Sequence, residues 1–575
     1  MRRFGPPSRI LLVSALFLLS CLQYANSLGN DFVWDAEGVF LEDPSIRDLS
    51  NIPSFFAKGY RLAPHGVIAG GTVERSGLTY YRPLVKTLHA IEFHFLGTAP
   101  AGYKLANILL NGCVVAAAFL FLEAVTGSTF AAFLASVLYA VNPSRAEAVY
   151  WTYSDSVILA ALFSLLSLFL YRKKKYVPAL AVFAFALLSH ETAVLLPLVC
   201  ILLEYLLPEG ESRQGYLRPL PFVLLACVYL VVRRGAAGPV PLTQLDALSL
   251  FNAGAVIVKK YLKLLLVPDG PVTVYRYRSG AFESLTPEIA VSYAVLGGFA
   301  LLGGFLWRAK KREYLFWLLW FFVLISFTFN VGNFGDYLLA EKNLYLACLG
   351  PCAAAARFAV SRRRTGAATL LVLAAFAVYH SAETFRRGFY WKDTVTYLEQ
   401  ALSFSPDFSL GRIALANKLA SGGEYDRAAA EYARVAGSRP ELAGYMKKLM
   451  GEAYFNKGNE LASQGRYGQA LAEYDKALPL KEDVSSVYNN VGNVHYVLDD
   501  QKGAAAAWEK ALRADPSNAE ACYNMAMALE KEGRIVDALV YYQRFLSLAP
   551  ARAPEVSDRV EGIRKRARER APRKG

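Results

Sequence analysis

Eleven long apolar runs fill most of the first 382 residues of this 575-residue sequence, at about 10–28, 103–123, 129–142, 151–171, 176–190, 192–207, 218–233, 288–307, 314–330, 341–358 and 366–382. A helical run of about 20 apolar residues matches the hydrocarbon thickness of a bilayer. A chain with so many of them has few ways to bury them other than in lipid and against one another. The first run follows Arg2, Arg3 and Arg9 and resembles a signal peptide, but its length and the spans behind it favour an uncleaved first membrane helix. The expected fold is therefore all-α: a polytopic membrane bundle of about 11 spans over residues 1–382.

The formal net charge of +14 would suit a nucleic-acid partner, yet the basic residues lie in short clusters beside the apolar runs. Arg172 to Lys175, Arg213 with Arg218, Arg308 to Arg312 and Arg362 to Arg364 all fall on one side if the N-terminus is cytoplasmic. That is the positive-inside pattern, and it argues against nucleic acid. The segment 250–267 carries Lys259, Lys260 and Lys263 and reads as an interfacial helix rather than a span, as does 84–97. This topology turns the first long loop, 29–100, and everything after about residue 383 outward. The seven cysteines form no metal-like cluster and no disulfide framework.

Residues 383–552 carry a different signal. Units at 485–516 and 519–550 begin 34 residues apart, with Gly492 and Ala526 at position 8 and Ala504 and Ala538 at position 20. Units at 451–482 and 409–440 match through Gly458, Ala470, Ala416 and Ala428, and 391–406 reads as half of a degenerate unit. A 34-residue period with small residues at these places identifies tetratricopeptide repeats, an α-solenoid that offers a concave surface to a protein or peptide. Residues 553–575 form a basic cap or tail.

Polar groups in the outward loops are the candidates for chemistry. Asp35 and Glu37 lie in the acidic stretch NDFVWDAE directly after the first span, where a carboxylate can take the proton of an attacking hydroxyl. Arg82, Glu147, Glu191, Glu341 and Lys342 form further outward sets and read as substrate-binding. Arg82, Lys342 and Arg145 are the cations suited to a lipid phosphate. Interface anchoring, and a solvated acidic loop, are the competing explanations for these groups.

The motifs NDFVWDAE (30–37), YRPL (81–84), GYKLANIL (102–109), NPSRAEAVYW (142–151), SHETAVLLP (189–197), YLKLLLVPDGPVTVYR (261–276) and LAEKNLYL (339–346) occur in that order ahead of the repeats. This arrangement resembles the transmembrane and tetratricopeptide repeat-containing O-mannosyltransferases and their bacterial relatives, in the GT-C superfamily. The resemblance implies transfer of a sugar, such as mannose, from a polyprenyl-phosphate-linked donor to a hydroxyl, with inversion. The first acid of the family's pair falls on Asp35, and the second falls on Ala36, with Glu37 one place later. The family's His-Pro-x-His is here Asn142 to Arg145 with Glu147 kept, its Arg-x-Asp is Asp155 to Val157, and its Ala-Glu-Arg-Tyr is Ala340 to Asn343.

The expected function is transfer to a protein acceptor recruited by the repeats on the extracytoplasmic side. The partners are then the lipid-linked donor, the acceptor protein and membrane lipid. No cofactor is evident in the sequence, no metal ligands are assigned, and a role for a divalent metal stays open. The lack of an Asn-x-Ser/Thr sequon favours a bacterial inner membrane, with the repeats periplasmic, over the endoplasmic reticulum. The alternatives are a catalytically decayed, membrane-anchored repeat scaffold and a transferase acting on lipid or cell-envelope glycan.

Overall fold

All eleven apolar runs are helical in the computed structural model, which describes residues 6–61, 66–69, 72–75, 79–208, 217–238, 246–268, 282–329, 339–361 and 366–570. Among these, seven helices are long and apolar enough to cross a membrane: Ser8–Ser27, Pro100–Thr126, Thr152–Arg172, Leu220–Ala237, Pro287–Arg308, Arg312–Phe329 and Gly366–Arg387. An eighth span arises if the bent pair Glu341–Ala347 and Leu349–Ser361, which meet at 45°, counts as one. The expectation of about eleven exceeds this for a physical reason. The apolar helices Thr129–Ala140 and Tyr176–Ser189 have 12 and 14 residues. At ~1.5 Å per residue they reach only about 20 Å, short of a hydrocarbon core of about 30 Å.

The long helices keep large apolar side chains on their outer faces, with Leu301 78%, Val231 73% and Leu371 72% exposed. Rows of this kind would be ruinous against water and are ordinary against lipid tails. The inner faces carry small and polar groups instead. On Pro100–Thr126, Asn111 is buried and donates to Ser20 Oγ at 2.8 Å. The Gly112 position lets the first helix approach so closely that a Cβ there would lie 2.7 Å from Phe17. The protein is an integral membrane protein with an all-α bundle.

The segment 250–267 is the amphipathic helix Ala247–Leu266, which is absent from the membrane-crossing set, and Lys259 pairs with Glu288 at 3.0 Å. The first long loop is more ordered than a loop. It contains the short helix Ile52–Ala57, a strand pair in which Tyr60 faces Tyr80 antiparallel, and the 14-residue helix Pro83–Leu96.

A second compact unit begins at Arg412. Its helices come in pairs: Tyr425–Ser438 after Ser409–Ser421, then Ala443–Ser463 with Tyr467–Ala477, Val484–Val497 with Gln501–Ala514, and Ala519–Lys531 with Ile535–Leu548. Helix Ala553–Arg570 follows as the cap. The small residue at position 8 is a packing requirement: a Cβ on Gly458 would sit 2.5 Å from Tyr474, and one on Gly492 2.5 Å from Trp508. Position 9 is asparagine in three successive units, and each accepts from the aromatic at position 24. Tyr432 donates to Asn417 at 2.6 Å, Tyr474 to Asn459 at 2.8 Å and Trp508 to Asn493 at 3.1 Å. Asn490 and Asn524 then donate back to the position-9 asparagine of the preceding unit, at 2.7 and 2.8 Å.

Candidate active site

The acidic stretch after the first helix is anchored to chain more than 350 residues away. Asn30 Nδ2 donates to the Gly388 carbonyl at 2.9 Å, and the Asp31 amide to the Lys392 carbonyl at 2.8 Å. Trp34 takes φ +55°, a conformation that costs a non-glycine residue about 1–3 kcal/mol and persists only where surroundings enforce it. Here the indole stacks on Phe408 at 5.7 Å and tilts against Tyr397 at 5.6 Å, while its amide donates to Thr394 Oγ1 at 2.9 Å. The strained turn starts the short helix Asp35–Glu37 and places the two acids differently. Thr394 Oγ1 donates to Glu37 Oε1 at 2.6 Å, so Glu37 serves to tie the loop down. Asp35, half-buried, exerts its charge on Tyr80, Tyr153 and Lys342. Ala36 between them is fully buried.

Arg82 caps the start of helix Pro83–Leu96, and Glu191 opens the turn after helix Tyr176–Ser189. They form a buried two-pronged pair, with Arg82 Nε and Nη2 donating to Glu191 Oε2 and Oε1 at 2.8 Å each. Burial alone would raise the Glu191 carboxyl, but the Arg82 guanidinium, helped by His190, holds it well below the usual carboxylate range. A guanidinium engaged in this way has its fork turned to protein. Arg82 also lies 4.7 Å from the Tyr80 ring.

Glu147 is 2% exposed, and its Oε2 accepts from the Lys342 amide at 2.8 Å. Its other oxygen has no hydrogen-bond partner among the described residues. Burial pushes this carboxyl up to about 7, against the pull of Lys342, two backbone amides and Arg387, so it exchanges a proton near neutral pH. Glu341, next to Lys342, turns away to a buried pair with Arg387 at 2.5 Å, and Arg387 also donates to the Pro143 carbonyl at 3.1 Å.

Lys342 is the group these elements share. Its ammonium sits 4.4 Å from the Trp151 ring and feels the charges of Glu147, Arg82, Asp35 and Glu191. It also lines a small cleft whose remaining wall is mainly apolar, including Val157, Leu196, Leu324 and Phe327, with His190 and Asn343 beside it. Of the seven sequence candidates, Asp35, Arg82, Glu147, Glu191 and Lys342 therefore converge, while Glu37 and Glu341 are held in structural contacts. Arg145 does not reach the cleft. It is fully buried between the Tyr139 and Tyr345 rings, at 3.9 and 4.6 Å, and donates to the Tyr139 carbonyl and Tyr345 hydroxyl at 3.0 Å each. Sequence reasoning missed Thr394 and Arg387, whose partners lie far off in the chain. It also missed a buried set, His89, Glu92 and Asp155, whose ligand-type atoms lie within 4.8 Å of one another.

A helical membrane bundle with a mainly apolar cleft and a tetratricopeptide-repeat domain defines the class. Residues 458–499 match the family described as TPR repeat, and 519–552 match Tetratricopeptide repeat. A protein O-mannosyl-transferase of Caenorhabditis elegans is 23% identical over 459 residues, 74% of this chain and 62% of that protein. The Homo sapiens protein O-mannosyl-transferase TMTC3 is 26% identical over 42% of this chain and 25% of its own length. Among solved structures, the crystal structure of MamA covers 28% of this chain and 89% of that one, at 18% identity and a TM-score of 0.22. The chain thus spans less than two thirds of the length of these curated relatives. It is similar in sequence to proteins named protein O-mannosyl-transferases and carries tetratricopeptide repeats.

Proposed function

We propose that the protein transfers a sugar, mannose by its kinship, from a polyprenyl-phosphate-linked donor to a hydroxyl of a protein acceptor. The observation that carries this reading is the placement of Lys342 at an apolar cleft within electrostatic range of Asp35. An isoprenoid chain suits the apolar wall, and an ammonium at the polar end stabilises the phosphate as negative charge builds on it. The acceptor oxygen attacks the anomeric carbon while the bond from that carbon to the phosphate oxygen breaks, its electron pair leaving on the phosphate. The hydroxyl proton passes to the Asp35 carboxylate. Glu147, with one oxygen unengaged and a pKa near neutrality, is placed to return a proton or position the acceptor. Arg82 and Glu191 hold the wall rigid.

The repeats act as the recruiting surface for the acceptor protein. The basic clusters beside the apolar runs support an extracytoplasmic acidic loop and repeats, and the lack of an Asn-x-Ser/Thr sequon supports a bacterial inner membrane. Purified protein in lipid, given a polyprenyl-phosphate mannose and an acceptor protein, should transfer sugar. Asp35→Asn should lose at least a hundredfold in rate with donor binding kept, and undiminished transfer by that variant would remove Asp35 from the mechanism.

A second reading, a repeat scaffold without transfer, draws on one observation: Ala36 fills the second acid position and is buried, and Glu37 is engaged by Thr394. Absence of lipid-linked sugar binding, with acceptor capture by the full chain intact, is the result that would favour it.

A further inference from the structure

We infer that His89, Glu92 and Asp155 form a site for a divalent first-row transition-metal ion, beside the Arg82–Glu191 pair and separate from the cleft. His89 and Glu92 lie one turn apart on helix Pro83–Leu96, which puts both on one face, and Asp155 is the first residue of helix Asp155–Arg172. All three are buried, at 2%, 8% and 1% exposure. Their donor atoms fall within 4.8 Å of one another, whereas donors around a bound ion lie roughly 3–4 Å apart, so small side-chain rotations close the shell.

The charges point to a cation. His89 Nε2 is 2.6 Å from Asp155 Oδ2, but Asp155 Oδ1 has no hydrogen-bond partner among the described residues. Glu92, more than nine-tenths buried, makes no hydrogen bond or ion pair there either. Two carboxylates thus share one buried pocket with a single imidazole, walled by Phe40, whose ring centre is 4.8 Å from that of His89, and by Tyr103. Two carboxylates held this close in a buried site repel one another unless a cation lies between them. A divalent ion removes that conflict outright. One imidazole with two carboxylates selects Zn²⁺ or Mn²⁺ over Ca²⁺ and Mg²⁺, which favour all-oxygen shells.

The site has a definite place in the molecule. It bolts helix Pro83–Leu96, whose cap is Arg82, to the helix whose second residue, Ser156, lies 3.4 Å from Arg82 Nη1. The ion therefore positions the Arg82–Glu191 wall and takes no part in bond breaking.

The test uses the full-length protein in detergent, stripped with chelator and dialysed against Zn²⁺ or Mn²⁺. Elemental analysis should find one ion per chain with either metal, and metal should raise the thermal midpoint. His89→Gln and Glu92→Gln, both close in size to the native side chains, should each lower ion affinity at least tenfold and abolish the metal-dependent rise. Glu92→Gln without metal should be as stable as the parent or more so, since it removes one of two facing carboxylates, which confirms that the variant folds. Uptake unchanged in both variants, no uptake by the parent, or equal uptake of Mg²⁺ would overturn the assignment.

Discussion

Replacing Glu191 with glutamine isolates the contribution of its buried pair with Arg82. The two side chains are 9% and 16% exposed, and both guanidinium contacts are 2.8 Å. The substitution keeps the shape and one acceptor but leaves a buried guanidinium uncompensated, which costs about 3–5 kcal/mol. Thermal unfolding of the detergent-purified protein at pH 7 should show a loss of that order. Replacing both partners with methionine should cost far less than the sum of the single changes, because the desolvation penalty disappears with the charges. The pH dependence has a fixed sign. The folded carboxyl is depressed, so the pair's contribution is complete above the unfolded carboxylate value of about 4.3 and is lost as pH falls below it toward the folded value. Glu191→Gln should accordingly converge on the parent in acid. A variant as stable as the parent at pH 7, or a double change as costly as both singles together, would refute the reasoning.

Glu147→Gln should flatten the stability profile between about pH 4.5 and 7. A raised folded carboxyl, at about 7, penalises the folded state as pH climbs through that window, by about 3 kcal/mol, so the parent should lose stability there and the variant should not. Gly492→Ala should destabilise its repeat by about 1–3 kcal/mol, since the new methyl would overlap the Trp508 ring, and faster hydrogen exchange across Val484–Ala514 reports it. Thr394→Val deletes the hydroxyl that bridges the Trp34 amide and the Glu37 carboxylate. A loss of about 1–2 kcal/mol and quicker proteolysis near residue 34 should follow, with unaltered cleavage counting against the tether.

Periodicity made much of this molecule readable. The apolar runs and the 34-residue repeats each encode a local geometry, so helix positions and the small residues facing Tyr474 and Trp508 follow from spacing alone. Charge in an apolar setting also carried information, and Arg82, Glu147, Glu191 and Lys342 were found because such groups are costly to keep. Their partners were not readable. Nothing local distinguishes Arg82, engaged by Glu191 109 positions on, from a cation left open for a ligand. Arg145 looked like a phosphate ligand because its motif is polar, yet Asn111 and Tyr345, 34 and 200 positions away, enclose it. Glu341 and Arg387 form a pair only once two helices meet. His89, Glu92 and Asp155 lack a motif spacing because one of the three, Asp155, arrives from another helix.

The tether between the acidic loop and residues 388–394 bears on how the protein is made. Asn30, Asp31 and Trp34 emerge first from the ribosome, yet the groups that hold them come about 360 positions later. At ~5–20 residues per second, the loop waits about 20–70 seconds for its anchor. Until Thr394 is synthesised and in place, the turn at Trp34 has nothing to hold its unfavourable geometry. A nascent membrane bundle, even with every span inserted, therefore carries an unset Asp35, and the site is completed only as the chain turns from membrane to repeats.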